Sequence, residues 1–247
     1  MSLIVKPRSL VIRITSRAIP LIALVTALCA ACNTRSSPDQ PAAIAPGPHQ
    51  EHSSGSERGL PNVQSYAHRL DEPSRDAWQR PEEVIELLGC RPGMTVVDLG
   101  AGTGYFLPYL SVAVGDEGRV IPLDLEPSTI ARLHTRIEKE GLRNVHPAVV
   151  APDDPALAVH SADRILVANT WHHISGRVDY AEKLLLSLRP GGLLLIVDFT
   201  MDSPEGPPTE RRLSSNTVVA ELEAAGFVVH VLKESLPYHY VVVGRVP

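Results

Sequence analysis

The sequence predicts an α/β fold: a doubly wound, mostly parallel seven-stranded sheet closed by an antiparallel C-terminal hairpin. Three observations carry this. Short apolar runs alternate with amphipathic helical patterns through residues 81–232, which is the signature of strand–helix–strand units. The run LLLIVDF (193–199) is apolar almost throughout, as a strand covered on both faces is. The runs FVVHVL (227–232) and YHYVVVG (238–244) are joined by too few residues for a helix, so they pair antiparallel.

The elements follow in order. PEEVIELLG opens a helix on Pro81, with Glu82 and Glu83 at its positive end. MTVVDLG (94–100) is the first strand. GYFLPYLSVAVG (104–115) puts Phe106, Leu110 and Val114 on one helical face. GRVIPLDL (118–125) is the second strand. PSTIARLHTRIEKEG (127–141) is a helix with Ile130, Leu133 and Ile137 inward and Gly141 at its end. NVHPAVVA (144–151) and DRILVAN (163–169) read as the third and fourth strands. RVDYAEKLLLSLRPGG (177–192) is a helix carrying Val178, Ala181, Leu184, Leu185 and Leu188 inward and stopped by Pro-Gly-Gly; LLLIVDF follows as the fifth strand. Pro204, Pro207 and Pro208 mark a loop, NTVVAELEAAG (216–226) a last helix, and the hairpin ends the chain. In such a sheet, ligands bind beyond the carboxyl ends of the strands, where strand order reverses.

The first residues are of another kind. Residues 1–31 hold Lys6, Arg8, Arg13 and Arg17, no acid, and an uncharged run over 18–31. A charged start, a short apolar stretch and small residues before a cleavage point describe a secretory signal, and the run is shorter than the about 20 residues a spanning helix needs. Ala30-Ala31-Cys32 resembles the bacterial lipoprotein box, with cleavage before Cys32 and Cys29 where that box prefers Leu. The expectation is a lipid-anchored chain in a bacterial cell envelope, facing the periplasm, held through a lipid on Cys32; Asn33 in place of Asp favours the outer membrane. Residues 32–62, with five prolines and three glycines among polar residues, read as a disordered tether, leaving residues 63–247 as one domain. With Cys29 removed and Cys32 acylated, only Cys90 remains, a packing residue at a helix end, so no internal disulfide is expected. The net charge of −5, with few aromatics and no basic run, excludes nucleic acid as an expected partner.

Between the first strand and the next helix lies Asp98-Leu99-Gly100-Ala101-Gly102-Thr103-Gly104. Its glycines let the backbone turn tightly and approach a ligand. The spacing is G-x-G-x-G, with Leu107 where a nicotinamide enzyme's last glycine would fall. An acid precedes the loop, which repels a pyrophosphate and attracts an ammonium. Asp124 closes the second strand, twenty residues after Gly104, where a carboxylate accepts from both hydroxyls of a ribose.

These residues resemble class I S-adenosylmethionine-dependent methyltransferases, of the Rossmann-like architecture. The likeness runs from about Arg75 to the end, through VVDLGAGTG, Asp124, ANTWHHI and LRPGGLLLIVDF in order. The stretches RDAWQRPEEVIELLGCRPGMTVVDLGAGTGYF and ELEAAGF also resemble a narrower group of small methyltransferases, many preceded by an export signal. The resemblance implies S-adenosylmethionine as cofactor and a small-molecule or lipid-like methyl acceptor. Asp98 and Gly100 would hold the methionine end and Asp124 the ribose, with Gly102 and Gly104 of the same loop also bordering the cofactor. Where the family places an Asp against the adenine, this chain has Ala151-Pro152, and Asp153 is the nearest candidate.

Methyl transfer needs alignment and, for some acceptors, a base. Asn169-Thr170-Trp171-His172-His173 stands just beyond the fourth strand, Asn169 toward the cofactor and His172 or His173 as candidate base. The same pair could instead only fix the turn. Adjacent helical residues diverge and no Cys or acid cluster accompanies them, so no metal is expected. Trp171 could wall the pocket or belong to the core. Trp78 and Tyr66 belong to a segment that often lids such pockets, and Asp198 and Asp202 follow the fifth strand near the acceptor side. The competing reading is a membrane-anchored S-adenosylmethionine-binding protein without turnover; a nicotinamide oxidoreductase fits less well, given the glycine spacing and Asp98.

Overall fold

The computed structural model describes residues 72–247. The expected signal at 1–31, the lipid site Cys32, the tether at 32–62 and Tyr66 lie outside the described residues. Among those described, no helix is long and apolar enough to cross a membrane.

The chain enters on a 3₁₀ turn, Pro73–Arg75, and a four-residue helix α1, Asp76–Gln79. Five helix-to-strand steps follow. Helix α2 (Pro81–Leu88) precedes strand β1 (Thr95–Leu99), helix α3 (Leu107–Val114) and strand β2 (Arg119–Asp124). Helix α4 (Pro127–Glu140) leads to β3 (Ala148–Val149) and β4 (Ala162–Ala168). Helix α5 (Arg177–Ser187), strand β5 (Leu188–Phe199), helix α6 (Ser215–Ala224) and strands β6 (Val228–Leu232) and β7 (His239–Arg245) complete it.

The seven strands lie in the order β3-β2-β1-β4-β5-β7-β6. Strands β1 to β5 are parallel; β7 runs antiparallel to both β5 and β6, as the sequence predicts. Order reverses between β1 and β4, so their carboxyl ends border the crevice where such sheets bind ligands. Two apolar clusters sandwich the sheet. One joins Val84 and Leu88 of α2, Phe106, Leu110 and Val114, and Ile130 and Leu133 of α4. The other joins Ala181, Leu184 and Leu188 to Val218 and Leu222 of α6. Between them, Leu194 to Val197 of β5 are fully buried, so each contributes about 1.5–3 kcal/mol of transfer free energy.

Two boundaries differ from the sequence reading. The third strand shrinks to Ala148–Val149, with an isolated bridge from Val120 to Val145. It is the sheet edge, both its residues are exposed, and Pro147 between bridge and strand has no N–H to donate. The fifth strand begins early, at Leu188. Ala162 pairs with Leu188 and Arg164 with Leu193, so Arg189–Gly192 bulges out between them. Pro-Gly-Gly therefore breaks the pairing of a strand as well as following a helix.

Candidate active site

The first strand delivers its last acid into a closed environment. Asp98 is 2% exposed, and its Oδ2 has no hydrogen-bond partner. Burial pushes its carboxyl up to about 7; the nearby Arg75 opposes that shift and Asp124 adds to it. Beyond Asp98 the chain turns back over β2, with the N–H groups of Gly100 and Ala101 donating to the Leu123 carbonyl at 2.8 and 3.1 Å. A Cβ on Gly100 would stand 2.3 Å from the Thr170 side chain, and one on Gly104 2.7 Å from Leu133, both at positive φ. The loop is thus pressed against the tip of β4 on one side and against α4 on the other. Arg136 of α4 pins it further, donating to the Thr103 carbonyl at 2.9 Å.

Asp124 is fixed by two backbone donors: Gly102 N–H to Oδ2 at 3.0 Å and Glu126 N–H to Oδ1 at 3.1 Å. Each oxygen has further lone pairs, so the carboxylate presents an oriented edge. Asn169 follows β4 with φ +55°, its Nδ2 donating to Gln79 Oε1 at 2.7 Å while its buried Oδ1 has no partner.

These groups border one cavity of about 380 Å³, lined by Asp98, Gly100, Gly102, Asp124, Asn169 and His173, with Leu123, Val150 and Pro152 as apolar wall. Six of the nine sequence-derived site residues line it: Asp98, Gly100, Gly102, Asp124, Asn169 and His173. Gly104 supports it by packing. Asp153 is exposed and does not line it; Pro152 does, and the Asp153 carbonyl instead accepts from Lys183.

The two histidines part company. His172 does not line the cavity; its side chain is 3% exposed and its Nδ1 lies 2.9 and 3.0 Å from the two carboxylate oxygens of Asp198. Its backbone N–H also donates to Asp198 at 3.3 Å. His173 lines the cavity, 4.2 Å from the His172 ring between centroids. Partial desolvation, then His172, holds its pKa below the ordinary value, so it is neutral at pH 7 and able to accept a proton. Trp171 is core: fully buried, with Nε1 donating to Glu221 at 2.9 Å. Asp202 is exposed. Trp78 sits on α1, stacked 5.6 Å from His239 and tilted against Phe199 at 6.2 Å.

Sequence reasoning missed Arg75, Tyr105 and Gln79. Arg75 and Tyr105 line the cavity; Gln79 braces Asn169. Only the likeness beginning at Arg75 hinted at the first. Among the described residues, no group of three His, Cys, Asp or Glu side chains could hold a metal.

The unpartnered oxygens of Asp98 and Asn169 suit an ammonium, the anchored Asp124 suits a ribose, and the apolar wall suits a purine. No phosphate-binding helix terminus is needed for such a ligand. The residues present therefore fit S-adenosylmethionine.

The chain is similar to a solved S-adenosylmethionine-dependent methyltransferase from Aquifex aeolicus, 33% identical with a TM-score of 0.70, covering 74% of this chain and 98% of that one. The chain belongs to the S-adenosylmethionine-dependent methyltransferases. The methyltransferase-domain family matches residues 96–192, which run from β1 into the bulge of β5. Among curated proteins, the chain is similar to the ubiquinone/menaquinone biosynthesis C-methyltransferases of Shewanella sp. (strain W3-18-1), 31% identical over 130 residues, and of Hydrogenovibrio crunogenus, 28% over 124. Those alignments cover 52% and 50% of this chain and 51% and 48% of the relatives, so the chain spans about half the length of the curated relatives it matches.

Proposed function

We propose that the chain transfers the methyl group of S-adenosylmethionine to a small-molecule or lipid-like acceptor. One observation carries the reading: a cavity fitted to the cofactor reaches a neutral histidine, His173, backed by the buried His172–Asp198 pair. The cofactor, when bound, supplies an electrophilic methyl on a sulfonium. Asp98 and Asn169 hold its amino group and Asp124 its ribose, which fixes the direction from which an acceptor approaches. His173 accepts the acceptor's proton at a ring nitrogen. His172, held by Asp198 through Nδ1, keeps the turn rigid and His173 in place. The curated relatives are named for ubiquinone/menaquinone biosynthesis, which supports a lipid-like acceptor.

Two measurements test this. The purified chain binds S-adenosylhomocysteine in calorimetry, and Asp124→Ala weakens that binding at least tenfold; an unchanged affinity removes the ribose assignment. Methyl-labelled S-adenosylmethionine, incubated with the chain and a total lipid extract, labels an extractable compound. Label found only in added protein or nucleic acid overturns the acceptor class.

We also propose that the chain is exported and acylated at Cys32. The support is the sequence of residues 18–34. Labelled palmitate enters the wild-type chain and not Cys32→Ser; equal labelling refutes it.

A further inference from the structure

The methionine end of the cofactor is a zwitterion, and the acids at this cavity answer only half of it. Asp98, Asp124 and Glu126 all line the wall. Such a wall attracts the ammonium and repels the carboxylate beside it. A cation is needed at the same end, and the described structure places one there. Arg75 lines the cavity, is 6% exposed, and is close enough to Asp98 to lower that acid's pKa. Its guanidinium lies 4.0 Å over the Tyr105 ring and 5.7 Å from the Trp78 ring, with Nη2 donating to Gln79 Oε1 at 3.2 Å. Aromatic faces and an amide oxygen thus fix its plane, which preorganises a fork for a carboxylate.

We propose that Arg75 binds the carboxylate of S-adenosylmethionine, and that this contact latches the segment 73–79 over the cavity. The proposal rests on the cofactor reading above and assigns a residue outside the glycine loop to it. The latch follows from connectivity. Arg75 ends the 3₁₀ turn and immediately precedes α1, whose Asp76 accepts from Tyr105 Oη at 2.5 Å and whose Gln79 accepts from Asn169 Nδ2. Trp78 of the same helix covers Phe199 and His239 at the ends of β5 and β7. A ligand carboxylate on Arg75 therefore closes a roof that also touches the acceptor side. Cofactor binding then precedes and shapes the acceptor site.

The test uses S-adenosylmethionine against its decarboxylated analogue, which keeps the ammonium and adds a net positive charge. A wall of acids alone binds the analogue more tightly. With Arg75 in the assigned role, calorimetry on the wild-type chain shows the analogue binding at least tenfold more weakly. Arg75→Gln erases that ratio and Arg75→Lys keeps part of it. Hydrogen exchange adds a second readout: S-adenosylhomocysteine slows amides 75–80, and 5′-methylthioadenosine, which lacks the amino-acid end, does not. Equal or tighter binding of the analogue by the wild-type chain overturns the proposal, as does a ratio that survives in Arg75→Gln or equal slowing by both ligands. If the wild-type chain binds none of these ligands, the cofactor reading falls and this proposal with it. If it binds all of them without discrimination, only the Arg75 assignment falls.

Discussion

At the residue scale, Asp98 is the group most altered by the fold. Its carboxyl is raised from 3.8 to about 7 by burial, with Arg75 and Asp124 as the charges that face it. A ligand ammonium needs the ionised form, so affinity for S-adenosylhomocysteine should rise with pH, by up to about tenfold per unit below pH 7, and level off above it. Calorimetry from pH 6 to 8 checks this, and Asp98→Asn should flatten the profile at a lower affinity. The acid, the glycines and Asp124 are legible in the sequence because the strand–loop–helix connection fixes them within a few residues of one another. Arg75 and Gln79 are not, because only long-range packing brings residue 75 to residue 98. The histidine pair shows the intermediate case. Adjacent in sequence, His172 and His173 differ because β5 places Asp198 beside one of them only. Gly104 is a matter of space: its Cβ would meet Leu133 at 2.7 Å and Leu107 at 2.8 Å, at φ +82°. Gly104→Ala should lower stability by about 1–3 kcal/mol in urea denaturation.

At the element scale, one side chain bonds the connection from β5 to α6 at five points. Arg212 donates to the carbonyls of Pro207, Thr200, Met201, Ser203 and Glu205 at 2.7 to 3.3 Å. Five loop carbonyls that no strand pairs with thus accept from a single guanidinium. Through Gly206, that loop also abuts Phe199, the ring under Trp78. Arg212→Ala should destabilise the chain by about 2–3 kcal/mol and speed amide exchange through residues 201–211. Unchanged exchange there would show the carbonyls to be satisfied otherwise. Prolines 204, 207 and 208 announce this loop in the sequence, but nothing local identifies Arg212 as its organiser. The shortened β3 and the bulge before β5 escape sequence reading for a related reason. Pairing is decided by the neighbouring strand, and a run of apolar residues does not say where its neighbour begins.

At the scale of the whole molecule, two buried groups oppose each other in pH dependence. His239, 2% exposed and without partners at either ring nitrogen, is pushed down to about 4 by burial, with Asp198 raising and Arg75 lowering it. An imidazole held neutral adds stability above 6.5 that is lost as pH falls toward 4. Asp98 acts the other way: held protonated up to about 7, it favours the fold increasingly as pH falls from there toward 3.8. Each slope is at most about 1.4 kcal/mol per pH unit, so the two largely cancel. His239→Phe removes one of them. On acidification from pH 6.5 to 4 its stability should then rise relative to that of the wild type. Urea midpoints across that range decide it. Neither pKa shift is visible in the sequence, since both depend on what the completed sheet covers.

The sequence by itself determined the α/β class, the parallel order of strand and helix, the terminal hairpin, the glycine loop and its two acids. Those features rest on periodicity and on spacings of a few residues, which local backbone geometry enforces. Only the tertiary structure decided which histidine meets the cavity, that Pro152 and not Asp153 lines its wall, and that Arg75 stands opposite Asp98. Each of those facts is a meeting of residues far apart in the chain, settled by where the reversal between β1 and β4 opens the crevice and by what packs across it.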